Sequence, residues 1–169
     1  MATIKQWVAG ARPRTLPAAL APVIVGTAAA AANRDVEEGT KGANLGLALL
    51  ALIVSCCLQV GVNYANDYSD GVRGTDDDRT GPPRLTASGQ VAPGVVKLAA
   101  FGCFGIGGLL GLALVVLSGQ WWLLAVGADD LVGGTLVLAG ADGDEQRKGA
   151  RGALDLRPGR GAGGGRIAA

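Results

Sequence analysis

An all-α fold, a polytopic bundle of transmembrane helices, is what this sequence predicts, and two features predict it. Hydrophobic residues make up 49% of the 169-residue chain against 17% charged, and the apolar residues gather in long runs instead of recurring at soluble-core spacing. A soluble domain of this length could bury a good core, but it would interrupt those runs with polar surface positions every few residues. The lipid bilayer is therefore the expected solvent. A net charge of +1 gives no reason to expect a nucleic-acid partner. Cys56, Cys57 and Cys103 all lie inside apolar runs, and their odd number makes no disulfide framework. The chain has no histidine, which excludes His-based triads, His–metal sites and the usual neutral-pH proton shuttle. Any chemistry must come from carboxylates, basic groups, amides and hydroxyls.

The elements follow in order. Residues 3–14 place Ile4, Trp7 and Val8 at helical spacing beside Lys5, Arg12 and Arg14, which suits a short helix in the membrane interface. Residues 15–32 carry no charge and are long enough to cross the hydrocarbon core, with Pro17 and Pro22 tolerable as early or kinking positions. A cleaved signal peptide is disfavoured because the run is longer than a signal's apolar region and further spans follow. The second span covers residues 45–70 and ends polar, and Gly71 and Gly74 are expected to stop it. The third covers residues 95–117, where FGCFGIGGLLGLAL offers small residues for close helix packing. A fourth segment, 121–140, has Asp129 and Asp130 at its centre. At roughly 2.5–3.5 kcal/mol each, these oppose insertion.

Residues 141–169 turn to Gly, Arg and Asp and read as disordered. A basic nucleic-acid arm fits them poorly, since acids are interspersed and aromatics are missing. The chain thus divides into a membrane domain, 1–127, and a remainder, 128–169. Basic residues at the N-terminus (Lys5, Arg12, Arg14) and around the second loop (Arg73, Arg79, Arg84, Lys97) outnumber those of the first loop (Arg34, Lys41). That puts the N-terminus and the second loop on the cytoplasmic side.

Chemistry concentrates where the second span meets that loop, in NYANDYSDGVRGTDDDRTGPPRLTASG. At about 100° per residue, Asn63, Asn66, Asp67 and Asp70 fall within about 100° of helical arc, so four oxygen-bearing side chains share one face. Ionisable groups at the mouth of a membrane bundle are costly unless they face a cavity or bind something, and hard oxygen donors suit Mg²⁺ shared with phosphate oxygens. Asp76, Asp77 and Asp78 add a second acidic group, and Arg73, Arg79 and Arg84 could hold a diphosphate. Tyr64 and Tyr68 could line a cavity or anchor the interface. The bland reading of the same residues is a solvated helix end and turn. An EF-hand loop is disfavoured, because alternate-position ligands and the closing Glu are missing.

Asn66-Asp67-x-x-Asp70, followed by Asp76-x-Asp78-Arg79 and Gly81-Pro-x-Arg84-Leu85-Thr86, resembles the first Asp-rich motif of the UbiA superfamily of intramembrane prenyltransferases. Within it, the similarity is greatest to the 1,4-dihydroxy-2-naphthoate polyprenyltransferases. Ala11-Arg-Pro-Arg-Thr-Leu-Pro17 is similar to the same family, and the resemblance covers about Ile4 to Gly127. It implies a plasma-membrane enzyme that transfers a prenyl group from a polyprenyl diphosphate to 1,4-dihydroxy-2-naphthoate with Mg²⁺, giving demethylmenaquinone. Carried onto these residues, it makes Asp67 and Asp70 catalytic, Asn66, Asp67, Asp70, Asp76 and Asp78 metal-holding, and Asn63, Asn66, Arg73, Arg79, Arg84, Tyr64 and Tyr68 substrate-binding. The superfamily pattern has an acid where Gly74 stands, which leaves open which of Asp76, Asp77 and Asp78 touches metal.

Members of that family carry many more membrane helices and a second Asp-rich motif. The resemblance therefore implies a truncated or frame-shifted chain, inactive alone, whose authentic sequence stops near Gly127. The CDP-alcohol phosphotransferases fit less well, since Asp70-Gly71 is followed by Val72-Arg73-Gly74. A non-enzymatic membrane protein whose acidic loop binds divalent cations or a partner is the alternative function.

Overall fold

The computed structural model describes residues 3–32, 43–73, 85, 86, 89 and 91–155. Among them the chain is helical: α1 (Ile4–Gly10), α2 (Leu16–Ala32), α3 (Leu45–Arg73), α4 (Pro93–Ser118) and α5 (Leu123–Asp155), with a 3-10 turn at Pro13–Thr15. The segments Ile4–Ala32, Leu45–Arg73, Pro93–Ser118 and Leu123–Asp144 are each long and apolar enough to cross a membrane. With its exposed flanks rich in Ile24, Val25, Leu109 and Leu117, this is the surface of a protein solvated by lipid tails.

Local chemistry sets the breaks. Thr3 donates its backbone N–H to Gln6 Oε1 at 2.6 Å, which satisfies one orphan donor at the start of α1. Arg12 stands at φ 52°, a left-handed conformation that no helix continues through. The turn is closed by Thr15, whose N–H and hydroxyl both donate to the Arg12 carbonyl at 2.9 Å. Asn44 caps α3 through Oδ1, which accepts the Leu47 N–H at 3.2 Å. Pro93 opens α4, and Gly119 ends it at φ 70° with its N–H on the Val115 carbonyl at 2.9 Å.

Two sequence expectations differ from the fold. Of the two glycines expected to stop α3, Gly71 does not, the helix running to Arg73, and Gly74 lies outside the described residues; a single glycine weakens a helix by about 1 kcal/mol, too little to stop one already packed on its neighbours. Residues 141–155 are not irregular: α5 continues through them to Asp155. Composition misled there because Asp142 and Asp144 find partners on α3 and α4, described below. Residues 123–144 also keep a mean hydropathy of 1.5 in their most apolar stretch despite Asp129 and Asp130.

α3 is the hub, packing most extensively on α4, then α5, then α2. Ser55 on α3 donates its hydroxyl to the Ala19 carbonyl of α2 at 3.0 Å. Close approach between α3 and α4 needs glycine at two points. A Cβ on Gly107 would stand 3.3 Å from Cys57 Cβ, and one on Gly61 would stand 2.8 Å from the Phe104 ring. The tip of the same ring is met by Gly134 of α5, where a Cβ would lie 2.7 Å from Phe104 Cζ. One aromatic side chain is thus wedged between three helices.

Burial on α3 is confined to one end. Gly61, Asn63, Tyr64, Ala65, Asp67, Tyr68 and Ser69 are buried, and no earlier residue of the helix is. α4 faces this end with Val96, Ala100 and Phe104, and α5 with Leu138 and Ala141. The C-terminal end of α3, the N-terminal end of α4 and residues 138–146 of α5 therefore meet at one membrane face, together with α1.

Candidate functional site at the polar end of α3

The end of α3 is a ring of stripes, each with different neighbours. Asn63 and Asp67, one turn apart, face the N-terminal segment and residues 85–86. Asn63 is 3% exposed, and its Nδ2 donates to the Ala11 carbonyl at 2.7 Å and to Thr15 Oγ1 at 2.8 Å. Asp67 is 1% exposed. Its Oδ2 accepts the Leu85 N–H at 3.1 Å and its Oδ1 the Thr86 N–H at 3.0 Å. A carboxylate can lie below the surface only with such donors.

The tyrosines separate. Tyr64 packs edge-on against Trp7, with ring centroids 5.5 Å apart, and its hydroxyl donates to the Trp7 carbonyl at 3.0 Å. Tyr68 lines an open cavity of about 480 Å³ with Pro93, Gly94, Lys97, Asp142 and Gln146. Its hydroxyl donates to Asp142 Oδ1 at 2.5 Å. Lys97 Nζ donates to Asp142 Oδ2 and stands 5.7 Å from the centre of the Tyr68 ring.

Between Gly61 and Ser69 only Val62 and Asn66 escape burial, and Asp70 and Arg73 continue their line along the helix. Between Gly61 and Ser69 the helix is buried except along this stripe; beyond Ser69 no residue of α3 is buried. Asn66 and Asp70 are partly exposed on it, one turn apart. Arg73 is exposed, and its Nε donates to Asp144 Oδ2 at 2.9 Å, with both side chains 42% exposed. By helical angle Tyr68 and its cavity lie about 160° round the helix from Asp70, so the acidic stripe and the cavity occupy opposite flanks.

The structure thus divides the expected site. Asn63 and Asp67 are held in backbone contacts, Asn66, Asp70 and Arg73 share the open stripe, Tyr68 lines a cavity and Tyr64 does not. Asp76, Asp77, Asp78, Arg79 and Arg84 lie outside the described residues. Among the described residues no three Asp, Glu, Cys or His side chains gather closely enough to hold a metal ion. Lys97, Asp142 and Asp144 join this end without having been expected there. An ionisable residue in the first turns of an apolar helix is the signal for Lys97; nothing local marks the two aspartates.

The fold and this polar end define a class, the multi-pass membrane proteins that gather acids and amides at one end of a helical bundle. The chain belongs to the UbiA prenyltransferase family, whose sequence profile matches residues 19–129. It is 52% identical over 141 residues to a 1,4-dihydroxy-2-naphthoate octaprenyltransferase of Mycobacterium tuberculosis, covering 83% of this chain and 46% of that protein. The enzyme of the same name from Mycobacterium leprae is 49% identical over 80% of this chain and 44% of its own length. That from Escherichia coli is 40% identical over 66% of this chain and 34% of its own length. The chain therefore spans under half the length of these relatives. No solved structure matches it.

Proposed function

We propose that this chain supplies the diphosphate-holding end of an enzyme that transfers a polyprenyl group from polyprenyl diphosphate to 1,4-dihydroxy-2-naphthoate. The product would be demethylmenaquinol, the reduced form of demethylmenaquinone, placing the protein in menaquinone biosynthesis at the plasma membrane, with the N-terminus and acidic loop cytoplasmic. The observation that carries the reading is the partly exposed stripe of Asn66, Asp70 and Arg73 along the polar end of α3. It is supported by relatives bearing that enzyme's name at up to 52% identity.

An amide oxygen and a carboxylate one turn apart suit a hard divalent cation, Mg²⁺, whose remaining ligands are oxygens of a substrate diphosphate and of water. Asn66 and Asp70 would hold it together with Asp76 and Asp78. When bound, the cation supplies positive charge against the departing diphosphate. Arg73, Arg79 and Arg84 add positive charge beside the same leaving group. The allylic C–O bond breaks with its electron pair leaving on the diphosphate; the electron-rich naphthoate ring carbon forms the new C–C bond, and the ring loses its carboxylate as CO₂. Apolar flanks of the bundle keep the isoprenoid tail in lipid and water away from the cationic carbon.

A chimera tests the reading. Residues 1–127 of this chain are joined to the remaining part of the Mycobacterium tuberculosis relative and assayed for Mg²⁺-dependent transfer from labelled polyprenyl diphosphate to dihydroxynaphthoate. Transfer that disappears in Asp70→Asn is the expected result. A folded chimera without transfer, under conditions where the intact relative works, refutes it, and divalent-cation binding by such a chimera favours a non-enzymatic role.

A further inference from the structure

We propose that Asp67 is a positioning residue, a clamp that ties the downstream end of the acidic loop to α3, and that it does not ligate the cation. The inference rests on the prenyl-transfer reading and refines which acids serve it. Both Asp67 oxygens accept backbone N–H groups, from Leu85 and Thr86, and the carboxylate is 1% exposed. Mg²⁺ gives up its waters reluctantly and needs an oxygen with an open approach. Asn66 and Asp70, on the neighbouring line of the helix, are partly exposed; Asp67 is buried.

What Asp67 grips is itself firmly placed. Leu85 is 2% exposed and sits where a Cβ on Gly10 would come within 2.6 Å of its Cδ1, so only a glycine there lets α1 close over it. The Leu85 carbonyl accepts the Val91 N–H at 3.2 Å, and the Thr86 carbonyl accepts the Gly89 N–H at 3.0 Å. The chain between Arg73 and Leu85 carries Asp76, Asp77, Asp78, Arg79 and Arg84. Leu85 and Thr86, which follow it, are held against α3 at Asp67, six residues before the end of that helix. Asp67 thereby ties residues 85 and 86 to the helix end that carries Asn66 and Asp70. Supporting groups of this kind hold ligands in register without touching the ion.

The test uses the full chain in lipid nanodiscs, with Mn²⁺ and inorganic pyrophosphate as probes. Amide hydrogen exchange at Leu85 and Thr86 is followed without metal, and Mn²⁺ binding by its electron paramagnetic resonance signal. In Asp67→Asn the two amides should exchange at least about tenfold faster, and Mn²⁺ should bind about tenfold more weakly while its saturated spectrum stays that of the wild type. In Asp70→Asn the amides should stay protected while the saturated spectrum changes. A changed saturated spectrum in Asp67→Asn with both amides still protected overturns the proposal. Should Asp67→Asn fail to fold, the wild type decides: the Leu85 and Thr86 amides should be equally protected with and without Mn²⁺ and pyrophosphate, and faster exchange on loading overturns the clamp. If the wild type shows no pyrophosphate-dependent Mn²⁺ binding, the prenyl-transfer reading of the site fails, whereas the amide measurements still judge the clamp by themselves.

Discussion

The end of α3 carries the pattern Asn-x-x-x-Asp twice, one register apart, and the two copies meet different fates. Asn63 and Asp67 are buried and bonded to the Ala11 carbonyl, the Thr15 hydroxyl and the Leu85 and Thr86 N–H groups. Asn66 and Asp70 are partly exposed on the stripe left open by the bundle. The same residue types at the same spacing are therefore buried in backbone contacts on one line and partly exposed on the next. The deciding factor is what approaches the first line: the Ala11 carbonyl and the Leu85 and Thr86 amides come to it. Burial makes a polar group structural when its partners are fixed, because any replacement strands them.

Substitutions along the two lines should separate by size when unfolding is followed in detergent. Asp67→Ala leaves two buried N–H groups without acceptors and should cost roughly 2–6 kcal/mol, the largest effect; a loss near zero would erase the contrast. Asn63→Ala abandons the Ala11 carbonyl and Thr15 hydroxyl and should cost about 1–3 kcal/mol, with α1 loosening first in proteolysis. Asp142→Asn weakens charge-assisted bonds from Tyr68 and Lys97 at a partly exposed place, for about 1 kcal/mol, and its signature is faster amide exchange in residues 138–146. Asp70→Asn on the open line should change stability least, by less than about 1 kcal/mol, although it is expected to abolish transfer in the chimera. A large unfolding penalty for Asp70→Asn would show that the outward line is a fastener as well.

Much of this was legible in the sequence, and the limits are instructive. Helices at Leu16–Ala32, Leu45–Arg73 and Pro93–Ser118 lie where long apolar runs placed the first three spans, because hydropathy is a local property. Helical arithmetic likewise put Asn63, Asn66, Asp67 and Asp70 within one arc. It could not say which of the four would be covered, since that depends on Ala11, Thr15, Leu85 and Thr86, distant in sequence. α5 was missed beyond Gly140 for the same reason: Asp142 and Asp144 look like tail residues until Lys97, Tyr68 and Arg73 are brought to them. Gly71 was over-read as a stop, its small helical cost being outweighed by packing on either side of it.

The Phe104 ring, held between Gly61 and Gly134, makes two distant positions answer to each other. A methyl group added at either glycine would press on this one ring, at 2.8 Å from Gly61 and 2.7 Å from Gly134, so the ring's response to one alters the space left for the other. Gly61→Ala and Gly134→Ala should therefore be non-additive, the double variant losing more than the two single losses combined. That coupling energy would report directly on whether α3, α4 and α5 assemble as one cooperative unit.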